Sequence, residues 1–130
     1  MLGKGLRRSL LALIALMTVA NGAKMLFDGR GWYDAVPGVQ DTGPYNPHFV
    51  QDIGLAFIVA SGGLFTTAWR PALWPAAVTG AAFLVAHAGL HLVGIAQGMT
   101  HHAGMELGLL VAPAFIALWA AFASKEVAHA

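Results

Sequence analysis

The chain has 130 residues, of which 58% are hydrophobic and 10% are charged. This composition argues against a water-soluble domain, because too little polar surface is available to cover it. The net charge is +1 and the seven basic residues form no block, which argues against nucleic-acid binding. Cysteine is absent, so disulfides, thiolate metal sites and CxxC redox chemistry are excluded.

Long uncharged stretches indicate membrane spans. No Lys, Arg, Asp or Glu occurs in the 35 residues between Arg70 and Glu106, or in the 18 residues from Leu107 to Ser124. A span needs roughly 20 apolar residues. The sequence therefore predicts an all-α integral membrane four-helix bundle, with residues 1–130 as a single membrane domain. We expect helices at about 9–27, 48–69, 75–97 and 104–123, and an outer loop over 28–47.

The first predicted helix has a second interpretation. Arg7 and Arg8 precede the apolar run 10–20, and Thr18-Val19-Ala20 would suit a signal-peptide cleavage site. Because the helical pattern continues through Met25-Leu26-Phe27, we expect the segment to be retained as a helix.

Local signals mark the second helix and the loop before it. Asn46 is suited to an N-cap and Pro47 to the first turn, whereas Arg70-Pro71 would end the helix. The loop mixes Gly, Pro and aromatic residues, which favours an ordered cap with a type II turn at Pro37-Gly38. A merely connecting loop is the alternative.

Basic and aromatic residues predict the orientation. Five basic residues flank the spans on one side and two on the other: Lys4, Arg7, Arg8, Arg70 and Lys125, against Lys24 and Arg30. By the positive-inside rule, both termini are expected in the cytoplasm, with the protein in the inner (cell) membrane. The aromatic residues that would form the two interfacial belts are Trp69, Trp74 and Trp119 inside, and Trp32, Tyr33 and Tyr45 outside.

Small residues recur every four positions on the last two helices. The rows are Ala82, Ala86, Gly94 and Gly98, interrupted by Leu90, and then Gly104, Gly108 and Ala112. Such rows allow close backbone approach in lipid, so they predict tight packing between these helices.

Each helix carries two polar residues four positions apart, and therefore on one face. The pairs are Lys24 and Asp28, His48 and Asp52, His87 and His91, and His102 and Glu106. The predicted topology brings all four pairs to the outer half of the bilayer. Ionisable groups are costly against lipid, so we expect them to face the bundle interior and to contact one another.

The polar pairs suggest a metal site. Asp52, His87, His91 and Glu106 offer nitrogen and oxygen ligands that suit zinc, iron, manganese or copper(II). His48 at the rim, His102 and Lys24 are candidates for contacting a cofactor or small ligand. Haem is a further alternative, with His48 or His102 opposite His91.

The expected function is thus metal or ligand binding in a redox-accessory role. No catalytic residues are predicted, because no nucleophile with a base partner, phosphate loop or nucleotide fingerprint occurs.

Two other functions remain open. A chain of Lys24, Asp52, His91 and Glu106 could handle protons or ions, although the inner half of each helix lacks ionisable residues. Alternatively, the polar groups only fix helix register, and the protein is a structural subunit of a larger membrane complex or a homo-oligomer. The lipid bilayer is the expected partner in every case, and nucleic acid is not.

The segment Ala20-Asn21-Gly22-Ala23-Lys24-Met25 closes the first helix and resembles the G-x-x-K region of the DoxX-like family, although Gly22 precedes Lys24 here by two positions. Four short helices in 130 residues also resemble that family. The resemblance implies a small bacterial membrane protein of a family in which some members are associated with quinone-linked sulfur oxidation. Only Lys24 carries over as a candidate site residue.

Overall fold

The computed structural model describes residues 3–128, and over that range the protein is all-α without strands. Its helices are α1 (Lys4–Phe27), α2 (Gly29–Ala35), α3 (Pro47–Trp69), α4 (Trp74–Ala96), α5 (Ala103–Glu106) and α6 (Ala112–Ala128). A π-helical segment (Leu107–Val111) joins α5 to α6, and short 3-10 turns lie at Val39–Thr42 and Pro71–Leu73.

Four helices are long and apolar enough to cross a membrane: Lys4–Phe27, Pro47–Trp69, Pro71–Ala96 and Ala103–Lys125. The four predicted long helices are therefore confirmed, and by length and composition they fit a multi-pass membrane four-helix bundle. The main difference is that α1 begins at Lys4 rather than near residue 9, because nothing in the sequence before Ser9 breaks a helix.

The predicted signals at the ends of α3 are present. The Asn46 side-chain oxygen accepts a hydrogen bond from the Phe49 N–H at 3.1 Å, and Pro47 occupies the first turn. These contacts supply a partner for one of the N–H groups that a helix start leaves open. At the other end, α3 stops at Trp69, directly before Arg70 and Pro71.

The segment between α1 and α3 is structured. Its type II turn is found where predicted: the Val39 N–H donates to the Val36 carbonyl at 3.3 Å, and Gly38 has φ of 83°, which only glycine adopts readily. The Trp32 indole N–H donates to the Asn21 side chain at 2.9 Å, and the Tyr33 hydroxyl donates to the Gly43 carbonyl at 2.7 Å. The first bond holds the segment against α1, and the second closes the segment on itself.

The four long helices alternate in direction. The α1 helix packs against α3 and α6, α3 packs against α4, and α4 packs against α6. Near the start of α1, Arg7 donates to the Ala123 carbonyl of α6 at 2.6 Å, and Arg8 donates to the Ala68 carbonyl of α3 at 2.8 Å. We call this the terminal end of the bundle, and the end that carries the 28–46 and 97–102 connections the loop end.

Two glycines bring α1 and α3 into backbone contact. A Cβ atom added at Gly22 would lie 2.6 Å from the Gly54 carbonyl oxygen, and one added at Gly54 would lie 2.9 Å from the Gly22 carbonyl oxygen. Neither position has room for a side chain without a shift of backbone. Close approach of this kind is a main source of attraction between helices in lipid.

The predicted small-residue rows do not form such a contact. Ala82 and Ala86 are exposed, and a Cβ added at Gly94, Gly98, Gly104 or Gly108 would meet nothing within 4 Å. The α4 and α6 helices do pack together, but through other faces. The buried apolar residues of these two helices are Ala77, Ala81, Leu84 and Ala88 of α4, and Ala114, Ala117, Ala120 and Ala121 of α6.

Replacing Gly54 by Ala should destabilise the bundle by about 1–3 kcal/mol, because the added methyl group overpacks the α1–α3 contact. Gly62→Ala is the matched control on the same helix, since a Cβ there meets nothing within 4 Å. The control should be neutral or stabilising by up to about 1 kcal/mol, as expected for Gly to Ala in a helix. Unfolding in detergent, followed by circular dichroism, measures both; equal stability of the two variants would contradict the assignment.

Candidate functional site

Two histidines face each other on α4. His87 and His91 lie one helical turn apart, and their Nε2 atoms are 3.3 Å apart. The ring centroids are separated by 4.8 Å with an interplanar angle of 69°. The expected contact between these two residues is therefore confirmed.

Glu106 of α5 extends this contact into a chain between elements. One carboxylate oxygen lies 2.9 Å from His91 Nδ1, and the other accepts a hydrogen bond from the Thr100 hydroxyl. The Thr100 oxygen in turn accepts the His102 backbone N–H at 3.0 Å. We refer to His87, His91, Glu106 and Thr100 as the His–Glu chain.

One set of tautomers satisfies every contact in the His–Glu chain. If His91 carries its proton on Nδ1, that N–H donates to Glu106, and the unprotonated Nε2 accepts the Nε2–H of His87. Both rings are then neutral and the carboxylate is ionised. In this state, each nitrogen that faces another residue of the chain has a partner.

The His–Glu chain lies in mainly apolar surroundings. Glu106 is 9% exposed, although the His91 side chain keeps 30% of its surface. The edge of the His87 ring meets Phe57 of α3 at 5.3 Å between centroids, and Phe83 lies nearly parallel to it at 17°. Hydrogen bonds are stronger in such a medium, and the loss of one partner is costlier.

The π-helical segment follows Glu106 directly and has a cause in the sequence. Pro113 has no N–H to offer the Leu109 carbonyl four residues earlier, and its ring would crowd that carbonyl. The chain responds with a wider turn over Leu107–Val111, as often occurs at functional sites. This wider turn changes which face of the fourth span Glu106 occupies.

Two residues of this region went unrecognised in the sequence. Thr100 sits in the short connection before α5, where a hydroxyl residue gives no specific signal. Pro113, by contrast, lies inside the predicted 104–123 helix, and its position could have suggested an irregular turn before it.

The structure does not bring Asp52 to the His–Glu chain. Asp52 lies 3.4 Å from His48 Nε2 at the start of α3, and the two side chains are 57% and 87% exposed. Lys24 likewise contacts its own predicted partner, Asp28, on the surface. These pairs are contacts within a helix or at its end, and they do not join different helices as the sequence had suggested.

The fourth predicted pair is replaced by other contacts. Glu106 bonds to Thr100 and His91, whereas the exposed His102 contributes its backbone N–H to Thr100. Because His102 is at the N-cap position of α5, its side chain is outside the helical face that Glu106 occupies. The prediction assumed that residues 102 and 106 lie in one helix, whereas α5 begins at Ala103.

The predicted four-ligand metal set is not assembled. Among the side chains described, those of residues 3–125, no group of three or more His, Asp or Glu is placed to hold one metal ion. Asp52 pairs with His48, and Glu106 bonds to the His91 nitrogen that faces away from His87. Of the predicted ligands, His87 and His91 bring their Nε2 atoms to within 3.3 Å of each other.

Electrostatics at the loop end are local. The Lys24 ammonium group and the Gly31 N–H both bond to the Asp28 carboxylate, and they lower the pKa of Asp28 below its ordinary value. The Asp34 carboxylate raises the pKa of Arg30, whose guanidinium also lies 5.5 Å from the Tyr45 ring centroid. These charged contacts stabilise the loop-end connection 28–46, and none of them involves a residue of the His–Glu chain.

Comparison with protein-family models, curated proteins and solved structures finds no match for this chain. The resemblance to the DoxX-like family, and with it a role for Lys24, therefore stays a prediction.

Replacing Glu106 by Ala should lower the free energy of unfolding by about 1–3 kcal/mol, because His91 Nδ1 and the Thr100 hydroxyl lose their partner in an apolar region. Asp52→Ala is the control, since its contact with His48 is solvent-exposed and is worth at most about 1 kcal/mol. Chemical unfolding in detergent compares them. If Glu106→Ala lowered the free energy of unfolding less than Asp52→Ala does, the stabilising role of the Glu106 contacts would be contradicted.

Proposed function

We propose that the protein binds one divalent transition-metal ion, such as zinc, copper or iron, between His87 and His91, and that it serves as a redox-accessory membrane protein. The observation that carries the proposal is the 3.3 Å separation of the two Nε2 atoms. Two imidazole nitrogens at 2.0–2.1 Å from a tetrahedral zinc ion are about 3.3 Å apart. An ion between the rings would replace the proton that they share.

The position of Glu106 supports the same proposal. Histidines that bind metals usually donate their other N–H to a carboxylate, which fixes the tautomer and raises the basicity of the ligand nitrogen. His91 meets this description, with Nδ1 at 2.9 Å from Glu106 and Nε2 toward His87. Glu106 then acts as a positioning residue and not as a ligand.

Two protein ligands leave coordination positions open. Structural zinc sites are closed by four protein ligands, and catalytic ones usually have three. A two-histidine site therefore suits an ion that also takes water or a small ligand. His91 is partly exposed, so that such a ligand has access to the ring.

Metal binding is tested with purified protein in detergent by titration with Zn²⁺ and by the absorption spectrum with Co²⁺. We expect one ion per chain, no binding in His91→Ala, and affinity reduced about 10–100-fold in Glu106→Gln. His48→Ala is the matched control and should bind normally, because His48 is paired with Asp52 away from the chain. Absence of binding in the unaltered protein, or equal loss in His48→Ala, would refute the site.

For the orientation, we propose that the loop end faces the periplasm and that both termini are cytoplasmic. Five basic residues belong to the terminal end and two to the loop end, which is the bias of the positive-inside rule. Of the three tryptophan residues at the terminal end, Trp69 and Trp119 are exposed and Trp74 is half-buried, which is compatible with side chains at a membrane interface.

The absence of cysteine allows a direct test of orientation. Asp41→Cys places a thiol in the loop-end 3-10 turn, and Ala72→Cys places one in the turn between α3 and α4. A membrane-impermeant maleimide should label Asp41→Cys in intact cells and Ala72→Cys only after permeabilisation. The reverse pattern would show that the protein is inserted the other way.

A structural subunit of a larger membrane complex is the second candidate. The observation in its favour is that the His–Glu chain can satisfy its own hydrogen bonds without an ion. For a structural subunit, we expect the Glu106→Ala variant to be less stable than the unaltered protein, and we expect the unaltered protein to bind no metal. A proton or ion transporter has less support, since residues 10–20, 60–69, 75–86 and 107–124 contain no ionisable side chain and so offer no polar path through the terminal half of the bundle.

A further inference from the structure

We infer that the terminal end of the bundle binds an anionic phospholipid, with its phosphate between Arg8 and Arg70 and an acyl chain along Phe65 and Trp69. This site is separate from the His–Glu chain, which lies at the loop end, and does not depend on metal binding. It combines two grooves with a concentration of positive charge.

Two surface grooves meet at the end of α3. They adjoin each other, since Phe65 and Trp69 line both. The first is lined by Phe65, Thr66, Trp69, Arg70 and Leu73. The second is lined by Arg8, Ser9, Ala12, Phe65, Ala68 and Trp69. Each groove therefore has mainly apolar walls and one arginine.

Backbone contacts hold Arg8 at the end of α3, which Arg70 follows directly in the chain. The Arg8 guanidinium donates to the Ala68 carbonyl at 2.8 Å and to the Trp69 carbonyl at 3.4 Å, so it lies against the residue that precedes Arg70. These carbonyls belong to the last turn of α3, where helical partners are missing. A guanidinium has five N–H donors, and the two contacts leave three for a phosphate.

Positive charge at this end has few carboxylates to balance it. Residues 1–27 and 53–105 contain no Asp or Glu, and Glu126 is the one acidic residue of the C-terminal segment 107–130. The ion pairs among the described residues lie elsewhere, and they are Lys24–Asp28, Arg30–Asp34, His48–Asp52 and His91–Glu106. An external anion is therefore the natural partner for Arg8 and Arg70.

The apolar walls identify the anion as a lipid. Trp69 is 78% exposed and Phe65 is 39% exposed, at the end of a helix that can cross a membrane. Free phosphate would use the arginines and leave these surfaces unused, whereas a phospholipid uses both. Basic pockets between membrane helices commonly bind anionic head groups.

The test compares anionic phosphatidylglycerol with zwitterionic phosphatidylcholine, each added to delipidated protein in detergent and detected by native mass spectrometry. We expect phosphatidylglycerol to remain bound preferentially. Arg70→Gln should weaken its binding about fivefold, the effect of about 1 kcal/mol for one basic residue near anionic lipid. Arg30→Gln, the same change at the loop end, should leave binding unchanged.

Further variants separate charge from folding and from free anion. Arg70→Lys should retain most binding, because the charge remains, and Trp69→Ala should weaken it without a charge change. Inorganic phosphate at millimolar concentration should not displace the lipid. Equal retention of the two lipids, equal loss in Arg30→Gln, or displacement by phosphate would each overturn the proposal. Arg8→Gln is informative only alongside an unfolding curve, since Arg8 also bonds to the end of α3.

Discussion

The loop end of this bundle depends on the need of one carboxylate, Glu106, for hydrogen-bond partners in apolar surroundings. Glu106 is 9% exposed, and it meets this need with His91 from α4 and Thr100 from the connection before α5. Removing such a group from water is costly unless its oxygens are bonded. The contacts therefore fix α4 relative to the fourth span, and they also determine the nitrogen that His91 presents to His87.

The π-helical segment after Glu106 and the regular α4 helix, which carries His87 and His91, have complementary roles. The α4 helix is regular, so His87 and His91 share a face by simple periodicity. The fourth span contains Pro113, and its π-helical segment adjusts the rotation of the turn that holds Glu106. Precision at the site thus comes from combining a rigid element with one that departs locally from α-helical geometry.

Features encoded over a few neighbouring residues were predictable from the sequence. The four spans, the Asn46 cap and the turn at Pro37-Gly38 follow from apolar length, side-chain capping and proline–glycine chemistry. The sequence did not predict that the small-residue rows would stay unpacked or that Asp52 would lie away from the His–Glu chain. Both depend on how each helix is rotated about its own axis. In an almost wholly apolar helix, sequence periodicity barely distinguishes the lipid face from the packed face.

The depth of the His–Glu chain has an electrical consequence. His91 and His87 lie five and nine residues before the end of α4, or about 8 and 14 Å along its axis. In a hydrocarbon layer of about 30 Å, a cation arriving from the loop end would cross about a third of the membrane potential. Two charges moved through a third of 100 mV correspond to about 1.5 kcal/mol, so the binding constant of the proposed ion would change roughly tenfold when the membrane depolarises.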